Sequence, residues 1–143
     1  MHYRLRITGG NQEICITDEN VIKKVDIVLF QSDKSANDRS DQLFCGLTIC
    51  GILNDKSQKE TQEIFEWSKK TDKVNVYKTV SVQVFDQKEL IRDYYLKEMY
   101  CTSYQEKFDE YNETSGSDDG AVGLFVLEMK QRKGAIDTIV VES

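Results

Sequence analysis

The clearest pattern in the chain is a two-residue alternation of apolar and polar side chains. It is cleanest in residues 74–85, where five valines alternate with uncharged polar residues. Because side chains on a strand point alternately to its two faces, this segment is predicted to be a strand with one apolar and one polar face. The polar face consists of Asn75, Thr79, Ser81 and Gln83.

Similar alternation predicts strands along the rest of the chain. Two N-terminal strands are joined by a hairpin at residues 9–11, where Gly-Gly-Asn permits positive backbone angles. Residues 24–31 carry apolar side chains on both faces, which predicts burial on both sides. Further strands are predicted at residues 43–53, 89–97, 100–111, 121–133 and 136–141.

One segment changes to a helical period. Ser57, followed three residues later by Glu60, matches a capping box at a helix start. The predicted helix runs to about residue 70 and is apolar on one side only. We expect this helix to lie on a β-barrel formed by the predicted strands and to close one open end of it. Its less polar stripe consists of Thr61, Ile64, Phe65 and Ser68, with Trp67 beside it.

Two polar segments are predicted to be loops. Residues 32–42, SDKSANDRSDQ, are long for a hairpin connection, and loops of this length in compact domains often make functional contacts. Residues 113–120, ETSGSDDG, are acidic. Their spacing does not match a calcium-binding loop, which favours a solvated turn.

These elements predict a mainly β fold in one domain, residues 1–143: a closed β-barrel of about eight strands with one α-helix. The chain contains no proline, which is one of the residues that block exposed sheet edges. Its edges must therefore be closed in a barrel or paired between the subunits of a ring.

The charge and hydropathy of the chain exclude several classes of function. A formal net charge of −6 argues against binding to nucleic acid or to an anionic membrane. No segment approaches the ~20 apolar residues that cross a bilayer, so no membrane insertion is expected. The N-terminus alternates and lacks the apolar run of a secretory signal, which favours assembly in the cytoplasm without a signal peptide.

No catalytic signature is present in the sequence: HExxH, GxSxG, the phosphate loop and GxGxxG are all missing. The single histidine, His2, falls on the polar face of the first strand and is predicted to be exposed and without a catalytic role. The cysteines form no CxxC pair and are predicted to be reduced thiols that pack as small apolar groups. They are Cys15, Cys45, Cys50 and Cys101.

A cysteine nucleophile is also disfavoured. Cys101 lies near acidic residues, Asp93 or Glu106, and a nearby carboxylate raises the pKa of a thiol. Paired carboxylates such as Asp109 and Glu110 point to opposite faces of a predicted strand and form no dyad by spacing. We therefore predict no enzymatic activity, no metal and no cofactor.

Four segments match the pattern of a known family. They are SANDRSDQLFCGLTICGIL at residues 35–53, the helix end at 65–67, YQEKFDEYN at 104–112 and GAVGLFVLEMKQRKG at 120–134. This pattern resembles the Hcp family of type VI secretion and the inner-tube proteins of contractile, phage-tail-like injection systems. It is most similar to small Hcp-like proteins of Gram-positive bacteria, some of which are labelled membrane-associated proteases. The resemblance implies a closed barrel with a helix that forms hexameric rings, stacked into an inner tube.

The resemblance also implies roles and partners. The valine strand's polar face, Asn75, Thr79, Ser81 and Gln83, would line the lumen, and the partners would be sheath, baseplate or spike proteins of a particle that can be released or expelled. The acidic loop and the absence of proline depart from better-known tube proteins, which leaves a repeated tube subunit, an initiator and an adaptor ring open. In this family the loop between early strands reaches the adjacent ring, and the matching residues are Ser35, Ala36, Asn37, Asp38, Arg39, Ser40, Asp41 and Gln42.

Three hypotheses follow from the sequence. The leading one is a structural tube or ring subunit without enzymatic activity. The second is a monomeric β-barrel binding module that holds a ligand such as a glycan or a secreted effector. The third is a hydrolase dependent on Cys101, which the residues do not support. The binding module would use four tyrosines predicted to be exposed: Tyr94, Tyr95, Tyr100 and Tyr104.

Overall fold

The computed structural model describes residues 1–31, 43–109 and 120–143. The strands in these ranges are β1 (His2–Gly9), β2 (Gln12–Ile16), β3 (Ile22–Gln31), β4 (Leu43–Leu53), β5 (Lys78–Asp86), β6 (Glu89–Lys107), β7 (Gly123–Gln131) and β8 (Val140–Glu142). Helix α1 spans Gln58–Ser68, the one-turn helix α2 spans Lys73–Val76, and a 3₁₀ turn spans Ile136–Thr138. Within the described ranges, neither α-helix has the length and apolar character to cross a membrane.

All eight strands belong to one antiparallel sheet. The order along it is β2-β1-β5-β6-β7-β4-β3, and β8 pairs with β6. The long strand β6 serves both halves of the sheet, because its first half pairs with β5 and its second half with β7. A bulge separates the two halves at Glu98, whose φ is 57°. Bulges bend a strand, so this position lets the sheet turn over on itself.

The inward-facing side chains of both halves meet in one buried cluster. Ile64 and Trp67 of α1 join it, so the helix packs on the sheet through its apolar side. This arrangement confirms the predicted mainly β architecture and gives a physical reason for the alternation of apolar residues. The sheet contributes Leu5, Ile7, Val80, Val82 and Leu96 from one half, and Leu47, Ile49, Phe125, Leu127 and Met129 from the other.

The predicted closure into a barrel is not confirmed. In the described part of the chain, the sheet is a path with two ends, β2 and β3, and no ladder joins them. β1 and β3 approach each other across the core, so the sheet curls without closing. Two strand edges therefore stay unpaired among the described residues, which matters for assembly because an unpaired edge can bind another strand.

The start of the valine strand was predicted wrongly. Residues 73–76 form helix α2, and β5 begins at Lys78. Two backbone amides, of Asn75 and Val76, donate to the Asp72 carbonyl at 3.1 and 2.9 Å. The Trp67 indole N–H donates to the Val76 carbonyl at 3.1 Å. These hydrogen bonds hold residues 73–76 in a helix, although the alternation of apolar and polar side chains continues from them into β5.

Three other segments also differ from prediction. Residues 89–107 form one strand with several register shifts, where two strands were expected. The last predicted strand is reduced to β8, because residues 136–138 form a 3₁₀ turn. The expected burial of both faces of β3 is wrong, since Val28 and Leu29 are 54% and 59% exposed. The reason is position: β3 ends the sheet and pairs only with β4.

Helix α1 begins at its predicted position, but the hydrogen bonds of Ser57 at its start differ from those of the predicted capping box. The Ser57 hydroxyl makes no cap to the helix. It donates to the Ile52 carbonyl at 2.8 Å and accepts from the Asn54 amide at 3.0 Å, so it fastens the helix start to the end of β4. The predicted stripe is also rotated, because Trp67 is buried while Phe65 is 45% exposed.

Candidate assembly surfaces

A polar face covers β1, β5 and the first half of β6. On β5 it carries the partly exposed Thr79, Ser81 and Gln83. Residues that pair directly across antiparallel strands share a face. The neighbouring positions on this face are Thr8, Arg6 and Arg4 on β1 and Tyr95 and Asp93 on β6.

Three charged side chains on this polar face, Arg6, Asp93 and Arg4, each contact a neighbouring group, and within the described ranges only Arg6 does so in an ion pair. Arg6 Nε lies 3.3 Å from Glu13 Oε1, and Gln83 Nε2 donates to Asp93 Oδ2 at 3.4 Å. The Arg4 guanidinium lies 4.9 Å from the centre of the Phe85 ring. A shallow depression of about 280 Å³ opens between these side chains. The face is therefore a neutral central row on β5, with charged side chains that contact neighbouring groups on both sides.

The other predicted site residues are distributed differently. Asn75 does not lie on the β5 face, since it belongs to α2, where its side-chain amide donates to Asp72 Oδ2 at 2.7 Å. The segment predicted to contact an adjacent ring, Ser35 to Gln42, lies outside the described residues. It connects the paired ends of β3 and β4, because Gln31 and Leu43 are partners in the ladder.

The β3 edge forms a second surface, which the sequence placed in the interior. Val28 and Leu29 are exposed near it, and the Phe30 ring packs on Phe44 with centroids 4.0 Å apart. Lys130 Nζ lies 5.5 Å from the Phe30 ring centre. Among the described residues this edge has no partner strand. The surface combines a strand edge that has no partner strand in the described part of the chain with exposed apolar side chains.

A third surface is a groove of about 720 Å³ between α1 and the ends of β6 and β7. Three exposed apolar side chains line it: Phe65, Phe108 and Val122, at 45%, 66% and 54% exposure. Asp55 and Glu106 also line it. Sequence reasoning missed the groove, because its residues come from three distant segments and no local pattern joins them.

Burial disfavours two of the thiols, Cys45 and Cys101, as nucleophiles. Burial raises the pKa of Cys101; a backbone hydrogen bond from Ser103 opposes this, and the charge of Glu128 adds to it. The predicted direction is thus confirmed, although the carboxylate is Glu128 and burial is the larger cause. Burial also raises the pKa of Cys45 to about 11. Thiolates are the reactive form, so these shifts disfavour nucleophilic chemistry at neutral pH.

We expect Cys45 to contribute to alkaline destabilisation. Its pKa of about 11 lies above the ordinary value of 9.0, so the native state keeps the thiol proton when the unfolded state has lost it. The stability from this group is complete below pH 9 and falls as the pH rises toward 11. Cys45→Ala should remove on the order of 2 kcal/mol of that fall, measured by urea unfolding from pH 8 to 11. Parallel curves for the two proteins would contradict the expectation.

The tyrosines do not form the exposed aromatic site of a binding module. Of the four that were proposed, only Tyr95 is largely exposed, at 41%. Tyr104 packs edge-on against Phe65 at 5.9 Å, and its hydroxyl donates to Glu106 at 2.7 Å. Tyr100 packs edge-on against Tyr77 at 5.8 Å. These contacts give the rings structural roles and weaken the binding-module hypothesis.

Metal and histidine chemistry find little support in the described ranges. No group of three or more His, Cys, Asp or Glu side chains there is arranged to hold a metal ion. His2 is 35% exposed, and its Nδ1 lies 4.0 Å from Glu19 Oε2 at the protein surface. The distinctive surfaces of the described chain are therefore those that suit contacts with other chains.

Comparison with known proteins finds a likeness in the fold and none in the sequence. No protein-family profile and no curated protein sequence matches the chain. Among solved structures, an Hcp protein crystal structure matches with a TM-score of 0.62 and 13% identity over 100% of this chain and 99% of its own. Hcp1 from Flavobacterium johnsoniae matches with a TM-score of 0.52 and 15% identity, covering 96% and 94%.

A third match comes from the anti-feeding prophage (AFP) baseplate, a six-fold symmetrised structure. Its TM-score is 0.55 and its identity 10%, over 99% of this chain and 93% of its own. At identities this low the likeness concerns the fold alone. The chain therefore has an Hcp-like fold, which confirms the resemblance inferred from the sequence.

Proposed function

We propose that this chain is a structural subunit of a contractile injection system or phage-tail-like particle. Copies stack as hexameric rings and form a conduit. The observation that carries the proposal is a β3 edge without a partner strand among the described residues, in a fold that the chain shares, over its whole length, with an Hcp protein. The role is structural, without enzymatic activity, and the whole of residues 1–143 acts as one domain.

The edge of β3 supports assembly because only half of it is blocked. Charged residues at positions 23, 24 and 26 and a bulge after Ile22 block its first half. Natural monomeric proteins use the same features to prevent pairing at sheet edges. From 27 to 31 the side chains are apolar or neutral, and Val28 and Leu29 are exposed. Pairing with the β2 edge of the next copy would continue the sheet from copy to copy, close it around a ring, and remove both free edges.

The polar face is proposed to line the conduit. Thr79, Ser81 and Gln83 provide a neutral row. Beside it, Arg6 forms an ion pair with Glu13, and Asp93 accepts a hydrogen bond from Gln83. Such a surface holds water while attracting passing cargo only weakly. Asn75, which lies in α2, is left out of this lining.

The remaining contacts of the particle are assigned to other regions. Residues 35–42, in the segment that connects β3 and β4 in the sequence, are proposed to contact the adjacent ring. Sheath, baseplate or spike proteins are the proposed heterologous partners. Assembly takes place in the cytoplasm, and the tube is released or expelled with the particle.

The first test is negative-stain electron microscopy of the purified, untagged protein, with light scattering for its mass. We expect six-fold rings or stacked tubes. Stacked tubes would favour a repeated tube subunit, and single rings an initiator or adaptor. A monomer of 16.5 kDa at every concentration would contradict self-assembly.

A matched pair of variants tests the edge within the same experiment. Val28→Glu should abolish the rings, because it places a charge in the proposed interface. Val28→Thr keeps the shape of the side chain and should retain them. Val28 is 54% exposed, so neither change should disturb the core. The free energy of unfolding of each dissociated variant should therefore be within about 0.5 kcal/mol of that of the dissociated wild type. Rings that survive Val28→Glu would exclude β3 from the interface.

A further inference from the structure

Among the described residues, the groove between α1 and the ends of β6 and β7 has an apolar surface with an acidic rim. Phe65, Phe108 and Val122 form its apolar surface. Asp55 and Glu106 supply two carboxylates, and no lysine or arginine is found among its described lining residues. Its volume of about 720 Å³ is within the range of ligand-binding pockets in proteins.

The segment that follows α1 has complementary properties. Val74 in α2 is the most exposed large apolar side chain of the described chain, at 79%. Lys70 and Lys73 are exposed beside it and make no ion pair among the described residues. The one nearby acid in this turn, Asp72, accepts a hydrogen bond from the Asn75 amide. We call residues 70–74 the basic corner.

The basic corner cannot fill the groove of its own chain. The groove follows the first two turns of α1, from Gln58 to Phe65, whereas the basic corner comes after the last turn. A helix of 11 residues is about 16 Å long. The Trp67–Val76 hydrogen bond holds α2 against the far end of that helix. The two complementary surfaces therefore lie at opposite ends of α1.

We propose that the groove binds the basic corner of a second copy of this chain, with Val74 on the phenylalanines and the two lysines beside Asp55 and Glu106. Two different surfaces that complement each other in this way make a head-to-tail contact, which generates closed rings or open stacks. The inference rests on the proposed assembly function and adds a second interface to the β3 edge. Rings need one such contact and the stacking of rings needs another.

Cysteine cross-linking tests the contact directly. Val74→Cys and Gln62→Cys place one thiol on the basic corner and one on the groove rim, and a disulfide forms only when the Cβ atoms come within about 4.5 Å. Under a mild oxidant, the double variant should give a ladder of covalent multimers on a non-reducing gel. A mixture of the two single variants should stop at dimers. Wild type under the same oxidant is the control for the native cysteines.

The ladder also locates the contact. Products that end at six place it within a ring, and products that continue beyond six place it between rings. Lys73→Glu should lower the cross-linked fraction by about twofold to fivefold, the range of exposed ion pairs, and Asp55→Lys in the same chain should restore it.

Three results would overturn the inference. They are rings seen by microscopy without a ladder, equal cross-linking of Val74→Cys alone, and a cross-linked monomer of raised gel mobility. The first leaves the proposed function intact, because assembly then uses other surfaces. Absence of both rings and ladder would reject the function and the inference together.

Discussion

Phe125→Ala is expected to lower the free energy of unfolding by about 3–5 kcal/mol. Phe125 is fully buried, and its ring centre lies 6.3 Å from that of Tyr104. Its strand, β7, is paired on both sides, with β4 and with β6. Because two ladders hold the backbone in place, the cavity left by the ring cannot collapse, and the loss falls in the upper part of the range for large-to-small changes.

Urea unfolding followed by tryptophan fluorescence measures this loss, since the chain has one tryptophan and Trp67 is 2% exposed. The measurement belongs in the Val28→Glu background, so that dissociation of rings does not add to the unfolding free energy. Phe65→Ala removes the same side chain at 45% exposure and should cost about 1 kcal/mol or less. Equal losses at the two positions would contradict the assigned core.

Gly51→Ala is expected to destabilise the protein by about 3 kcal/mol, through overpacking. A Cβ at Gly51 would lie 2.6 and 2.7 Å from two atoms of the Phe125 ring and 2.7 Å from the Val21 carbonyl oxygen. That carbonyl accepts the Ile52 amide at 2.9 Å, so it cannot withdraw without breaking a hydrogen bond. Both neighbours of the new methyl group are thus fixed.

Two variants examine this explanation. In Gly46→Ala the new Cβ meets the edge of the Phe30 ring at 3.1 Å and the Met129 carbonyl oxygen at an ordinary contact distance of 3.9 Å. This change should cost less than about 1 kcal/mol. Phe125→Leu in the Gly51→Ala chain should recover part of the loss, because it removes the ring atoms while the Val21 carbonyl stays. Strict additivity of the two single changes would show that the two positions do not interact.

The groove and the β3 edge illustrate where sequence reasoning stops for the candidate sites. Phe65 follows the helical period onto the apolar stripe, yet Trp67 occupies the core and leaves Phe65 at the surface. Val28 and Leu29 were predicted to be interior residues because apolar side chains occur on both faces of β3. Their exposure depends on which strand ends the sheet, and strand order is a long-range property.

Local chemistry alone determined much of the fold. The period-2 alternation predicted most strands, because the pleat places successive side chains on opposite faces whatever the partner strand. The first hairpin was also predicted, from its Gly-Gly-Asn turn. Gly10 and Asn11 in this turn adopt the positive φ angles, 58° and 63°, that a tight turn needs. The polar row Thr79, Ser81 and Gln83 follows from the same alternation.

Tertiary contacts decided the remainder. The Trp67–Val76 hydrogen bond ended the alternating segment in a helix, and pairing on both sides of Glu98 joined two predicted strands into one. The open ends of the sheet and the acidic groove likewise result from contacts between segments far apart in sequence. A local pattern reports the face on which a side chain lies, whereas its exposure depends on what packs against that face, and only the folded chain determines this.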